Sequence, residues 1–228
     1  GQVFFGTSSN DISFQYSNSM GYSVFAQKDL QPGTVIASIP ISNKWPSIII
    51  HRQIMIDEIK TLLIAFNTPR SLKTRFLNLF DNENAQHLLM PLFLNIERLW
   101  KPKLQFTLKP KFSEYLQTLP LISQMKTFPF FYTIVERNAL NGTRLQSQIE
   151  LFENFHFHLF FSKVAPLLHE LKMHLEQEVS KFSFRSTHCS LPAIDYREYL
   201  WGVLIQFSRA FSCETVVQNQ SNVHMLVP

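Results

Sequence analysis

Cysteine is scarce in this chain, which argues against a disulfide framework and against a cysteine-based zinc or redox site. Cys189 and Cys213 are the two cysteines in 228 residues. Two are too few for a disulfide framework, and neither belongs to a Cys-x-x-Cys pair that would indicate zinc or redox chemistry. No window reaches the roughly 18 apolar residues needed to cross a bilayer, and the first residues lack the pattern of a secretory signal. We therefore expect an intracellular protein in a reducing compartment, with no membrane partner.

Concentrated charge is also missing. Charged residues make up 17% of the chain, and the excess of Lys and Arg over Asp and Glu is 21 − 17 = 4, scattered along the sequence. Because no face or run concentrates that charge, we predict no direct nucleic-acid partner. Phenylalanine, by contrast, is abundant, with 22 residues, and hydrophobic residues reach 45%. This composition predicts a folded chain with a sizeable apolar core.

The histidine spacings do not favour a metal. His156 and His158 are two residues apart and would project from different faces of a helix, whereas His169 and His174 are five apart. We predict no metal site and expect these side chains on the surface or in the core. Asn141-Gly142-Thr143 matches a glycosylation sequon, but without a secretory signal we expect it to form a turn.

A hairpin is predicted near the start of the chain. Residues 21–26 and 34–39 are β-rich and flank Pro32-Gly33, the dipeptide that a type II turn prefers. The apolar residues of both runs alternate with polar ones, as on a half-buried strand. Residues 1–20 are expected to lead into this first strand.

Helical periodicity dominates the rest of the chain. Apolar residues recur at three- and four-residue steps in residues 48–66 and 87–100, and a short helix is predicted within 71–81. In the helix predicted for residues 87–100, Glu97 and Arg98 are expected on the solvent side. The buried stripe predicted for residues 87–100 is Leu88, Leu92, Phe93, Ile96 and Trp100.

A further helix follows a predicted turn. Gly142 is expected in a left-handed conformation, with Thr143 capping the next helix. That helix covers residues 146–182 and is kinked near Pro166, since proline cannot complete the backbone hydrogen bonds. Its predicted core residues include Phe155, Leu159 and Val164.

The last predicted helix opens at Asp195, three residues before Glu198, in the spacing of a capping box. It is expected to continue through Phe211. Its predicted buried stripe is Leu200, Val203, Leu204, Phe207 and Phe211.

Four segments, in order, carry a resemblance to a known family. The first is the Gly-x-x-hydrophobic-x-Ala run 21–26, followed by the Pro-Gly turn and Ile39-Pro40. The second is the Tyr-Leu-x-x-Leu-Pro element 115–120, which comes after a helix with Glu97-Arg98. The third is the turn 140–145, and the fourth runs from Trp201 to Phe211 and includes Ser208-Arg209. Together these segments resemble SET-domain methyltransferases of the Rubisco large-subunit methyltransferase type, which include fungal relatives that act on ribosomal proteins and elongation factors. The resemblance spans about residues 20 to 228.

The resemblance implies an α+β fold, with N-terminal SET strands in residues 1–40, a large and mostly helical insertion in 41–205, and the start of the C-terminal SET core in 206–228. It also implies methylation of lysine side chains on a protein, with S-adenosylmethionine as cofactor. The expected substrate is a ribosomal protein or translation factor. A monomer is expected, in the cytoplasm or the nucleus.

The same resemblance implies a cofactor site. The backbone around Gly21, Tyr22 and Ser23 would border the cofactor, and Ser208 and Arg209 would lie near its carboxylate. A guanidinium donates two parallel hydrogen bonds to a carboxylate. Ser23 replaces a family glycine, and Met20 stands where relatives often have glutamate, so weaker cofactor binding is expected.

Residues 223–228 resemble the strand that precedes an Asn-His motif in the relatives. We therefore expect this chain to be the N-terminal portion of a longer enzyme. The catalytic residues, the rest of the C-terminal SET core and the substrate-binding domain would then be absent from it. Two alternatives stay open: a degenerate SET-like helical interaction module that no longer binds the cofactor, and a protein-histidine methyltransferase.

Overall fold

The structure is a computed structural model that describes residues 12–17, 21–31, 50–81, 84–104, 108, 111–182, 190–213 and 223–226. The chain divides into two compact units, Gly1–Trp45 and Pro46–Pro228. The described part is mostly helical, which agrees in coarse terms with the helix-rich α+β class. The SET arrangement and the predicted three-part division stay predictions. Within the described residues, no helix has both the length and the apolar character needed to span a bilayer.

The first unit contains an antiparallel pair of strands, β1 (Ile12–Ser17) and β2 (Gly21–Ala26), with Phe14 opposite Val24. The predicted strand at 21–26 is therefore confirmed, and the segment expected to lead into it supplies its partner. Pro32-Gly33 and the strand predicted after that dipeptide lie outside the described residues.

Among the described residues of the second unit are three short strands, β3 (Ile50–His51), β4 (Ala210–Cys213) and β5 (Val223–Leu226). They pair antiparallel in the order β3-β5-β4, with Phe211 opposite Met225. The strand predicted at the end of the chain is thus present as β5, and its neighbour β4 follows directly from the last helix.

The helices of the described residues are α1 (Arg52–Ala65), α2 (Arg70–Leu77), α3 (Ala85–Asn95), α4 (Ser113–Gln117), α5 (Ile134–Asn138), α6 (Arg144–Leu159), α7 (Ala165–Phe182) and α8 (Tyr196–Arg209). The predicted helices are confirmed with shifted ends: the one expected from residue 48 begins at Arg52, because Ile50–His51 is a strand. The predicted stripe of α3 and the turn after it is buried throughout.

The prediction that Glu97 and Arg98 face solvent is wrong. Glu97 is 1% exposed, and the Arg98 side chain is only 21% exposed. Both lie in a π-helical turn (Ile96–Trp100), in which the N–H of Lys101 donates to the carbonyl of Ile96 at 3.0 Å. A π turn holds more residues than an α turn, so it rotates the side chains away from the face that a period of 3.6 assigns to them.

The turn before α6 is confirmed as predicted. Gly142 has φ +78°, and the Thr143 hydroxyl accepts a hydrogen bond from the N–H of Gln146 at 3.2 Å. The predicted distortion near Pro166 is also present, as a π turn (Phe160–Val164) between α6 and α7. Of the core residues predicted for the helix 146–182, Leu159 and Val164 are buried, but Phe155 is 43% exposed.

Helix α8 begins as predicted: the Asp195 carboxylate accepts a hydrogen bond from the N–H of Glu198 at 2.9 Å. The helix ends at Arg209, two residues before the predicted end, because Ala210–Cys213 pairs with β5 instead. The predicted burial of Phe207 is wrong, since this side chain is 60% exposed. Its ring contacts the ring of Phe152 edge to face, at 5.5 Å between centroids. The Phe211 side chain lies outside the described part.

Candidate functional site

Helix α8 is tied to α3 by a buried asparagine. The side-chain amide of Asn95 donates to the carbonyl of Pro91 at 2.9 Å and to the carbonyl of Glu198 at 2.8 Å. Asn95 is fully buried, so both donors of its amide are used where water cannot replace them. This residue therefore connects the end of α3 to the first turn of α8.

Arg98 makes a second connection between the same helices. Its guanidinium forms an ion pair with Glu198 and lies 4.2 Å from the ring centroid of Trp201. The indole N–H of Trp201 in turn donates to the carbonyl of Pro120 at 2.8 Å. The helix with Glu97-Arg98, the Leu-Pro element and the segment that begins at Trp201 are thus in direct contact.

Helix α6 approaches α8 through a histidine–tyrosine pair. The Nδ1 atom of His156 is 3.0 Å from the hydroxyl of Tyr199, and that hydroxyl donates to the carbonyl of His87 at 3.2 Å. Pro91 has no N–H, so the α-helical partner of the His87 carbonyl is missing and the tyrosine replaces it. Residues from α3, α6 and α8 therefore share one polar contact in the core.

Burial determines the protonation of this pair. It lowers the pKa of His156 to about 4, with a smaller contribution from the charge of His87. Burial also raises the pKa of the Tyr199 hydroxyl. Both groups are therefore neutral at physiological pH. His156 is 1% exposed, so the pair acts as a packing element closed to a substrate, and it confirms the expectation that this histidine belongs to the surface or the core.

The residues assigned to the cofactor by resemblance lie in two places. Ser208 and Arg209 are the last residues of α8, directly before β4. The hydroxyl of Ser208 donates to the carbonyl of Ile205 at 3.2 Å, and the side chain is exposed. The side chain of Arg209 lies outside the described part.

Gly21, Tyr22 and Ser23 lie together at the start of β2, opposite Ser17, Tyr16 and Gln15 of β1. Their side chains, and the whole of Met20, lie outside the described part. These three residues belong to the first unit, whereas Ser208 and Arg209 belong to the second.

A buried charge cluster was missed by the sequence predictions. Lys101 forms ion pairs with Glu97, four residues earlier, and with Glu58 of α1 at 2.6 Å, and Lys111 also binds Glu58 at 2.6 Å. The four-residue spacing of Glu97 and Lys101 was a usable signal. No sequence signal indicated that Glu58, 43 residues from Lys101, would join the cluster.

The two carboxylates of this cluster respond differently to burial. Burial raises the pKa of Glu97 further than the nearby Lys101 lowers it. For Glu58 burial also acts to raise the pKa, but the hydrogen bonds and charges of Lys101 and Lys111 outweigh it and leave the pKa lowered. The cluster therefore joins α1 to the π turn after α3 through ion pairs that are largely buried.

Among the described residues, no group of three or more His, Cys, Asp or Glu side chains is arranged to hold a metal ion. Comparison of the chain with family models, with curated proteins and with solved structures found no match. The functional interpretation therefore depends on the motif segments and on the contacts around α8.

Proposed function

We propose that this chain is part of a SET-type methyltransferase that uses S-adenosylmethionine to methylate lysine side chains on a protein. The observation that supports the proposal is that two of the segments of the resemblance, 115–120 with its Glu97-Arg98 helix and the helix after the turn 140–145, both contact α8, which contains most of a third segment. Arg98 contacts Glu198 and Trp201, and Trp201 donates to Pro120. The helix that follows the turn 140–145 reaches the same helix through His156. The helix at the centre of these contacts ends at Ser208-Arg209.

The residue types at the end of α8 support a site there for the amino-acid part of the cofactor. The C-terminal carbonyls of a helix favour a positive group such as the cofactor's ammonium. The Ser208 oxygen, which donates its proton to Ile205, is exposed and able to accept a hydrogen bond. The guanidinium of Arg209 is suited to the cofactor's carboxylate.

Bound S-adenosylmethionine would supply the methyl group, and a neutral lysine amine would accept it in line. The task of this chain would be to hold the cofactor in the orientation that such a displacement needs. We assign no catalytic side chain to it, because the family segments that carry those residues are not among its motifs. A ribosomal protein or translation factor as substrate, a monomeric state, and location in the cytoplasm or nucleus are parts of the same proposal.

Calorimetric titration of S-adenosylmethionine into this chain tests the proposal. We expect binding that Arg209→Ala abolishes and that the matched control Arg197→Ala, an exposed arginine on the same helix, retains. Equal binding by both variants would remove Arg209 from the site. If this chain does not bind, the same titration into a chain extended past Pro228 by the expected Asn-His segment decides whether later residues complete the site.

A second candidate function, a helical interaction module without cofactor, is favoured by one observation. Ile134 and Val135 on α5 and Leu151 on α6 are apolar and more than 70% exposed. A contiguous exposed apolar patch is typical of a surface that binds another protein, and Ile134 and Val135 are neighbours on α5. Absence of cofactor binding by both the chain and its extended form would support this function. Mass spectrometry of a methylated substrate would separate lysine from histidine as the acceptor.

A further inference from the structure

The turn between α5 and α6 contains the one Asn-Gly dipeptide of the sequence, Asn141-Gly142. Both residues are exposed, and nothing lies within 4 Å of the position that a β-carbon on Gly142 would take. An asparagine side chain is open to attack by the backbone nitrogen of the next residue when that residue is glycine, since no β-carbon obstructs the approach. The site therefore has the sequence and the access that this reaction needs.

We propose that Asn141 is a deamidation site whose rate is controlled by Gln146. The Gly142 nitrogen forms a bond to Cγ of Asn141, the Cγ–Nδ2 bond breaks, and the proton of the Gly142 N–H leaves with the side-chain nitrogen as ammonia. Water then opens the cyclic imide at either carbonyl and gives aspartate or isoaspartate. The net reaction converts amide and water into acid and ammonia, with no change of oxidation state.

The control comes from a hydrogen bond that the reaction must break. The N–H of Gly142 donates to Oε1 of Gln146 at 2.8 Å. While this bond is formed, the nitrogen keeps its proton and directs its N–H at Gln146 of α6, so the proton is not free to leave. Gln146 is itself held, because its backbone N–H is capped by Thr143 and its amide nitrogen donates to Glu150 at 2.8 Å.

Conversion would change the start of α6. The first turn of this helix contains no acidic residue. A new carboxylate two positions before the Thr143 cap would therefore be the acidic group nearest in sequence to the positive end of the helix dipole, with which it interacts favourably. The isoaspartate product also lengthens the backbone beside the hydrogen bond from the N–H of Thr143 to the carbonyl of Leu140, 3.0 Å in the intact chain. The modification therefore acts on the cap of a helix that contacts α8.

Incubation of the folded chain at mildly alkaline pH and body temperature, followed by peptide mass mapping, tests the proposal. We expect aspartate and isoaspartate at position 141 ahead of every other asparagine. Gln146→Ala should accelerate the conversion about fivefold, the rate equivalent of one hydrogen bond of about 1 kcal/mol. Gln148→Ala, an exposed glutamine on the same helix, is the matched control and should not change the rate.

Two results would overturn the proposal. If the folded chain stays intact at Asn141 while the urea-unfolded chain converts, the turn blocks the reaction. If Gln146→Ala and Gln148→Ala convert at the same rate, Gln146 does not control it. Because the readout is the mass of the peptide, neither result depends on cofactor binding.

Discussion

Pro91 lies where a side chain at position 202 would have to be: an ideal β-carbon built on Gly202 would be 2.7 Å from the Cα of Pro91 and 3.0 Å from its carbonyl oxygen. Both contacts are to backbone, which cannot rotate away as a long side chain can. Gly202 therefore allows α3 and α8 to approach more closely than any other residue would permit.

Gly202→Ala should destabilise the protein by about 2 kcal/mol, because the added methyl group forces the two helices apart in a packed core. Gly142→Ala is the control: its β-carbon meets nothing within 4 Å. That substitution is strained only by the positive φ and should cost about 1 kcal/mol. Urea unfolding of both variants measures the difference, and an equal loss would contradict the close approach.

Lys101→Met should destabilise the protein by about 3–5 kcal/mol at neutral pH, since it leaves Glu97 as a buried charge without its counter-ion. The loss should decrease at lower pH, because burial already raises the pKa of Glu97 and protonation removes the charge. Lys111→Met removes the other lysine on Glu58, but the Lys111 side chain is 56% exposed. It should cost less than about 1 kcal/mol. Similar losses for the two variants in urea titrations would refute the difference in burial.

Stability should fall as the pH decreases from 6.5 to about 4. Burial lowers the pKa of folded His156 from 6.5 to about 4, so the unfolded chain binds a proton at a pH where the folded chain does not. The contribution of the buried, neutral His156 to the free energy of unfolding is fully present above pH 6.5, and on the order of 3 kcal/mol is lost once the pH reaches about 4. His156→Gln should flatten this part of the profile, whereas replacement of the exposed His158 by Gln should leave it unchanged. An unaltered profile in His156→Gln would assign the pH dependence to other groups.

Tyr199→Phe should destabilise the protein by about 1–3 kcal/mol, because the carbonyl of His87 loses the donor that compensates for Pro91. The Pro91→Ala background tests this reason directly. Alanine restores an N–H at position 91, so Tyr199→Phe should cost less there than in the natural chain. Unfolding of the four proteins of this double-mutant cycle measures the coupling, and strict additivity would show that the proline and the tyrosine are independent.

Much of the helical framework was predictable, because its signals are local. The left-handed Gly142, the Thr143 cap, the Asp195 cap and the distortion near Pro166 each depend on residues within one or two turns. The helix predicted to run from Asp195 through Phe211 was likewise found by sequence, although α8 stops at Arg209 because the next residues, β4, pair with β5. Strand pairing across a gap in sequence ends a helix earlier than its periodicity indicates.

The sequence by itself therefore determined where the helices lie and how they begin and turn, since propensity, capping and proline act between near neighbours. Tertiary structure decided which side chains those helices bury. Glu97 is buried because the π turn rotates it and Lys101 neutralises it, whereas Phe207 is exposed although it lies on the apolar stripe of α8. His156 lies in the core because Tyr199, 43 residues away, supplies its hydrogen bond. Periodicity specifies a face of a helix, but burial depends on the elements that fold against that face.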